Sequence, residues 1–261
     1  MKHKKYSYGI ACCSYNATGE PQILLVRKNV SYGLVEMFMF NNYRPRDEVK
    51  LRYYFERMTN QEKIYIANRQ FDIIYSLVHG AGADKRDNNY MSAKIKFNSL
   101  FVPNTKFVLD LLDSTGSISE IWEIPKGRSD PAETQLQTAV REFKEETGIK
   151  KEQFTILPPS GTFTEDIETH RSFYHHEYFL SFMTKPIIPR IRISNYSQTK
   201  EVNDIQWFTL RELAVLDKKN QRVFKLARKI IRSFKNRIKK GKIFPLSDNL
   251  PILSSHRKYS D

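Results

Sequence analysis

The sequence is short of cysteine. Its two cysteines in 261 residues, Cys12 and Cys13, stand side by side in an apolar run. Adjacent cysteines give neither a disulfide framework nor the spaced pairs of a zinc site, and they fit a reducing compartment. Long apolar runs are missing too. No stretch approaches the ~20 residues that cross a bilayer. The N-terminal MKHKKYSYGIACCSYN has too short an apolar segment to read as a signal peptide. Internal repeats and low-complexity tracts are absent. The expectation is a soluble, cytoplasmic chain with no transmembrane segment. Negative charge is the last shortage: 29 Asp+Glu stand against 43 Lys+Arg, a net +14. Such an excess favours a polyanionic partner, whether RNA, DNA, inositol phosphates or an anionic membrane. Since 40% of the residues are hydrophobic and charges of both signs are mixed along the chain, a buried core is feasible and wholesale disorder is not expected.

Against that shortage, Glu142, Glu145 and Glu146 crowd into five residues of the stretch GRSDPAETQLQTAVREFKEETGI, 127–149. Like charges at helical spacing repel, so a metal ion, basic neighbours or solvation must compensate them. The stretch predicts a helix, with Asp130 as its cap, Pro131 at its first position, Glu133 closing a capping box and Gly148 ending it. Leu136, Ala139, Val140, Phe143 and Thr147 form the face expected to pack on a sheet. The three glutamates fall beside that face within a ~100° arc, so their carboxylates are expected to converge on one spot. Hard divalent cations prefer such oxygen ligands. Taken alone, EFKEE reads as a solvated acidic face.

Around this helix, residues 6–15 and 22–28 read as strands joined by a turn at Asn16–Pro21. Residues 121–124, 154–157, 174–183 and 204–208 read as further strands, and 125–129 as a loop. Residues 38–117 read as mostly helical and separate. Thr209 and Glu212 form a second capping box. Residues 218–242 carry twelve Lys or Arg and no acid, with apolar residues every three or four positions, which predicts a basic amphipathic helix. The tail beyond Pro245 reads as irregular.

The spacing Gly127, five residues, Glu133, seven residues, Arg141-Glu142, Phe143, one residue, Glu145-Glu146, one residue, Gly148-Ile149 resembles the Nudix signature at every defined position. The resemblance implies an α/β/α sandwich, here with an inserted helical domain, that hydrolyses nucleoside diphosphates linked to another group. It implies Mg²⁺ or Mn²⁺ held by Glu142, Glu145, Glu146 and the Gly127 carbonyl, with Glu133 and Arg141 orienting loop and helix. Such metals would bridge diphosphate oxygens and activate a water. Glu201 is the further carboxylate proposed as general base or extra ligand, and Glu142 is an equal candidate for the base.

The segment WEIPKG, with Lys126 before Gly127, resembles the mRNA-decapping Nudix enzymes. The run 121–149 together with ILLVRKNVSYGLVEMF is similar to the decapping enzymes of large cytoplasmic DNA viruses, of the African swine fever virus type, with poxvirus enzymes more distant. That implies capped mRNA as the partner, m7GDP and 5′-monophosphate RNA as products, and the host cytoplasm as the location. Lys126 and Arg27 are candidate phosphate contacts. Tyr174 and then Phe38 are candidates for stacking on the cationic methylated guanine, although a core role is the commoner fate of such aromatics. His175 and His176 face opposite sides of a strand, which argues against a zinc site. Arg228, Arg232, Lys235 and Lys239 on the basic helix are candidate RNA contacts. The alternatives are a diphosphoinositol polyphosphate hydrolase, with inositol polyphosphates as partner, and a catalytically silent RNA-binding protein. The expected organisation is 1–37 and 118–245 for the Nudix domain, 38–117 for the insertion and 246–261 for the tail.

Overall fold

The computed structural model describes residues 3–39, 43–44, 47–80, 83–102, 105–117, 121–158, 162–168, 172–191, 198, 201–216 and 220–240. The tail expected at 246–261 lies outside them. β1 (His3–Tyr15) and β2 (Pro21–Lys28) open the chain. Six helices follow: α1 (Tyr32–Phe38), α2 (Glu48–Phe55), α3 (Asn60–Ala67), α4 (Phe71–His79), α5 (Asn88–Phe101) and α6 (Thr105–Ser114). Then come β3 (Trp122–Glu123), β4 (Lys126–Gly127), α7 (Gln135–Thr147), β5 (Thr155–Ile156), β6 (Phe163–Glu168), β7 (Ser172–Phe182), β8 (Val202–Thr209), α8 (Leu210–Val215) and α9 (Gln221–Lys239).

The strands make one mixed sheet in the order β3-β2-β1-β7-β5, with β8 against β2, β4 against β1 and β6 against β7. β1 and β7 run parallel over their whole shared length, from His3 beside Ser172 to Cys13 beside Phe182. The end of β1 pairs with β2, whereas Tyr8 and Gly9, nearer its start, pair with Gly127 and Lys126 of β4. Alternation along β1 sends Ile10 and Cys12 to one face, where they pack with Ala139 and Phe143 of α7. Ala11 and Cys13 go to the other, under Leu226, Ile230 and Phe234 of α9. The result is helix, sheet, helix, an α/β/α sandwich.

The segment between β2 and β3 has a core of its own, built on Leu34, Phe55, Phe97, Phe101 and Leu111. It begins earlier than expected. Leu34, Met37 and Phe38 lie in that helical core because Ser31 caps α1 directly after β2, its side chain accepting the N–H of Leu34. Two neighbouring residues of α3 hold both of the segment's ends. Glu62 accepts the N–H of Ser31 at 2.7 Å. The Lys63 ammonium donates to the carbonyls of Thr115 and Gly116 at 3.1 and 2.8 Å. Where the chain enters and leaves, the N–H of Lys28 donates to the carbonyl of Ile121 at 3.0 Å.

Candidate active site

The start of α7 corrects the sequence reading. Asp130 and Glu133 do not cap it, because Ala132 takes a left-handed φ of 71° that interrupts any helix there. Thr134 is the cap, and with Gln137 it forms the capping box. Gly148 closes the helix in the left-handed conformation, φ 71°, as expected. Leu136, expected on the packed face, is 38% exposed, while Ala139 and Phe143 are fully buried and Thr147 is 2% exposed.

Arg141 organises the preceding loop. Its Nε and Nη2 donate to the two oxygens of Glu133 at 2.7 and 2.9 Å. Nη2 also reaches the carbonyl of Arg128 at 2.8 Å. Nη1 is shared between Glu142 at 2.8 Å and Glu145 at 3.1 Å. A planar guanidinium can serve this many acceptors at fixed angles, as an ammonium cannot. The paired Arg141 holds the Glu133 carboxyl down to about 2, helped by the Asp130 N–H.

Glu142 and Glu146 both reach β4. The Glu142 carboxylate lies against the bare Cα of Gly127, where a Cβ would overlap it. Burial pushes this carboxyl up to about 7 against the pull of Arg141. Glu146, 2% exposed, accepts the Lys126 N–H at 3.1 Å through one oxygen and meets Lys28 Nζ at 2.5 Å through the other. The expected convergence of all three carboxylates on a single point is not found. Among the described residues no three acid, histidine or cysteine side chains are arranged as a ready-made metal-binding group, because Glu142 and Glu145 are drawn to Arg141 and Glu146 to Lys28.

Sequence reasoning missed Lys28 and Glu123, and it offered Tyr32 only as a candidate for stacking on the cap. Lys28 Nζ lies 3.3 Å from Glu123 and 3.7 Å from Glu201 besides its contact with Glu146. Burial works against its charge, but Glu146, Glu123 and Glu201 together hold the ammonium charged well above its ordinary range. Glu123 is bound further by Lys126 Nζ at 2.8 Å and by the Tyr32 hydroxyl at 2.9 Å. Burial notwithstanding, Lys126 and Lys28 keep that carboxyl far below the usual carboxylate range. The available signal was a charged residue at the end of one apolar run, QILLVRK, and inside another, IWEI.

The remaining candidates separate. Glu201 stands beside Lys28, about half exposed, and its carbonyl accepts the Asn29 N–H at 2.9 Å. The Lys126 ammonium is turned inward onto Glu123 and only 8% of its side chain is exposed. Arg27 stacks at 5.7 Å over Trp122 and bonds Asn203 at 2.7 Å. Tyr174 is partly exposed on β7, with Lys5 Nζ 5.2 Å over its ring. Phe38 cannot stack on a cap: it is 5% exposed, packed against Tyr43 and Phe97 inside the helical core. His175 pairs with Asp166 at 2.6 Å while His176 is buried from the other face. Arg228, Arg232, Lys235 and Lys239 are all exposed on α9. At the start of that helix Arg222 reaches back to Glu165 at 3.4 Å and to the Asp166 carbonyl at 3.1 Å.

The residues fit a hard divalent cation. The donors are carboxylate oxygens, Gly127 lets the Glu142 carboxylate lie against its backbone, and seven carboxylates (Glu123, Asp130, Glu133, Glu142, Glu145, Glu146, Glu201) are offset by three cations (Lys28, Lys126, Arg141). A surplus of negative charge in a half-buried site attracts a cation.

Residues 104–231 match the NUDIX domain. The match starts at the last helix of the inserted segment, so β1 and β2, which precede the insertion, fall outside it. The chain is 29% identical over 229 residues to mRNA-decapping protein g5R of African swine fever virus (isolate Pig/Kenya/KEN-50/1950), covering 82% of this chain and 89% of that protein. It is 45% identical over 56 residues to the asymmetrical bis(5′-nucleosyl)-tetraphosphatase of Rattus norvegicus, covering 22% of this chain and 37% of that one. An Ap4A hydrolase from C. elegans, in a binary complex, aligns over 90% of this chain and 98% of its own at 16% identity and a TM-score of 0.42. The matched domain contains the arginine-stapled loop and the glutamate helix at the signature's spacing, and a relative aligned over 82% of this chain is a viral decapping protein; the chain carries a Nudix hydrolase domain over residues 104–231.

Proposed function

We propose that this Nudix hydrolase is a metal-dependent decapping enzyme that cleaves the triphosphate bridge of capped mRNA, releasing m7GDP and leaving 5′-monophosphate RNA. The observation that carries the chemistry is the way Arg141 locks Glu133, Glu142 and Glu145 to the Arg128 carbonyl while Glu146 is pinned between Lys28 and the Lys126 N–H. The decapping relative supports the substrate.

Glu142, Glu145, Glu146 and the Gly127 carbonyl would hold Mg²⁺ or Mn²⁺, which when bound would offset the charge of the diphosphate and supply an activated water. The chain's own contribution is orientation. Arg141 fixes the loop so that Gly127 faces Glu142, and the packing of Ala139 and Phe143 fixes α7 on the sheet. Glu142, held near neutrality by burial, and the half-exposed Glu201 are the two carboxylates able to take up the water's proton. Tyr174 is the remaining candidate for the cap ring. The exposed cations of α9 supply a track for the RNA body. Inositol polyphosphates have no such support from the relatives named.

The test is chromatography of products from cap-labelled RNA, with and without m7GDP or inositol hexakisphosphate as competitor. m7GDP is the expected product, and inhibition by m7GDP is expected to be the stronger. Release of m7GMP, or turnover of free cap analogue equal to that of capped RNA, would overturn the assignment in favour of a small-molecule hydrolase.

A further inference from the structure

Lys28 has no place in the signature, yet it holds the charge centre of the site. It ends β2 just past a register shift between Arg27 and Lys28, and only 19% of its side chain is exposed. Its ammonium meets Glu146 at 2.5 Å, Glu123 at 3.3 Å and Glu201 at 3.7 Å. Lys126, the other ammonium in this group, bonds Glu123 with its side chain and reaches Glu146 only through its backbone N–H. Lys28 is thus the side-chain cation bonded to Glu146, one of the three carboxylates that, on the reading above, ligate the metal, as Arg141 is for the other two. A buried carboxylate without a counter-charge is strongly destabilising. A divalent cation and an ammonium cannot both sit at hydrogen-bond distance on the same carboxylate oxygen without repelling one another.

We propose that Lys28 is an internal counter-ion for Glu146, a positioning residue that keeps the metal-ligand glutamate folded in place and competes with the divalent cation for it, so that it sets the metal affinity of the site. Glu123 and Glu201 lie within reach to keep the ammonium compensated once Glu146 turns to the metal. The proposal rests on Glu146 being a metal ligand.

The test is Mn²⁺ binding to the full chain without substrate, read by electron paramagnetic resonance of the free ion at pH 8. Lys28→Met is expected to bind Mn²⁺ about tenfold more tightly or better, to melt at a lower temperature without metal, and to show a larger Mn²⁺-induced rise in melting temperature. Lys126→Met, which removes an ammonium bonded to Glu123 and not to Glu146, is expected to change the affinity less. Unchanged or weaker binding by folded Lys28→Met, or equal tightening by Lys126→Met, overturns the proposal. Should Lys28→Met not fold, the wild-type chain answers instead: reductive methylation of the Lys28 amine, followed by mass spectrometry, is expected to speed up when Mn²⁺ is added, and an unchanged rate overturns the idea. A wild-type chain that binds no Mn²⁺ removes the metal reading itself, and the two failures are told apart in that way.

Discussion

At the scale of single residues, charge neutralisation governs the site, and each carboxylate has a distinct expected sensitivity. Glu145→Gln and Glu146→Gln keep shape but lose charge. They are expected to lower the hydrolysis rate by roughly two to four orders of magnitude, since a bound cation supplies several kcal/mol to the transition state. Circular dichroism should show the fold retained, and a rate within a factor of a few of wild type would remove both residues from the metal set. His176 offers a separate reading of the interior. It is 5% exposed, and burial, with Lys126 beside it, lowers its pKa to about 3. A histidine whose folded pKa lies below its unfolded value near 6.5 stays neutral in the native state while the unfolded chain takes up a proton. Stability is therefore full above about pH 6.5 and falls as pH drops toward 3, by up to ~1.4 kcal/mol per unit from this group. His176→Gln should flatten that part of the profile in urea titrations at pH 7 and 4.5, and an unchanged slope would show that the imidazole is protonated in the fold.

At the scale of elements, α7 and the β4 loop form one device, and Gly127 is its tightest point. A Cβ there overlaps the Glu142 carboxylate, so Gly127→Ala should cost about 10–100-fold in metal affinity or rate, the usual effect of disturbing a ligand's surroundings. Mn²⁺ titration beside turnover measurements checks this. α9 is the other device. Replacing Arg228, Arg232, Lys235 and Lys239 together with Gln should weaken RNA binding and flatten log K against log salt by up to about 3, at roughly 0.7 per lost contact. An unchanged slope would exclude this helix as the RNA track. Much of this was legible in the sequence. The signature fixes α7, its Gly148 stop and the Arg141–Glu133 pairing, because those depend on local spacing. The start of α7 was not, because Asp-Pro-Ala-Glu imitates a cap while the bonds of Glu133 to Arg141, Thr138 and the Asp130 N–H hold the same residues in a turn. β6 was passed over because FTEDIE carries three acids among six residues; as an edge strand it needs burial only on every second residue. Phe38 was misplaced because its partner Phe97 comes from a distant part of the chain. Lys28 was invisible for the same reason: Glu123, Glu146 and Glu201 meet it only after folding.

At the scale of the whole molecule, the proposed metal centre and the basic flank are expected to respond independently. Excess EDTA should abolish hydrolysis of capped RNA, with Mg²⁺ or Mn²⁺ restoring it, while leaving most of the RNA affinity measured by fluorescence anisotropy; full activity in EDTA would refute the metal-dependent mechanism. The manner in which the helical segment is spliced into the sheet has a consequence of another kind. Its two ends leave the sandwich at backbone groups 3.0 Å apart, from Lys28 to Ile121, where Val26 and Arg27 pair antiparallel with Glu123 and Trp122. That is the geometry of a hairpin whose turn has been replaced by a cassette. Because closure entropy grows only slowly with loop length, such a splice point tolerates cargo of almost any size, and a lineage could gain, lose or exchange the cassette without redrawing the sheet beneath it.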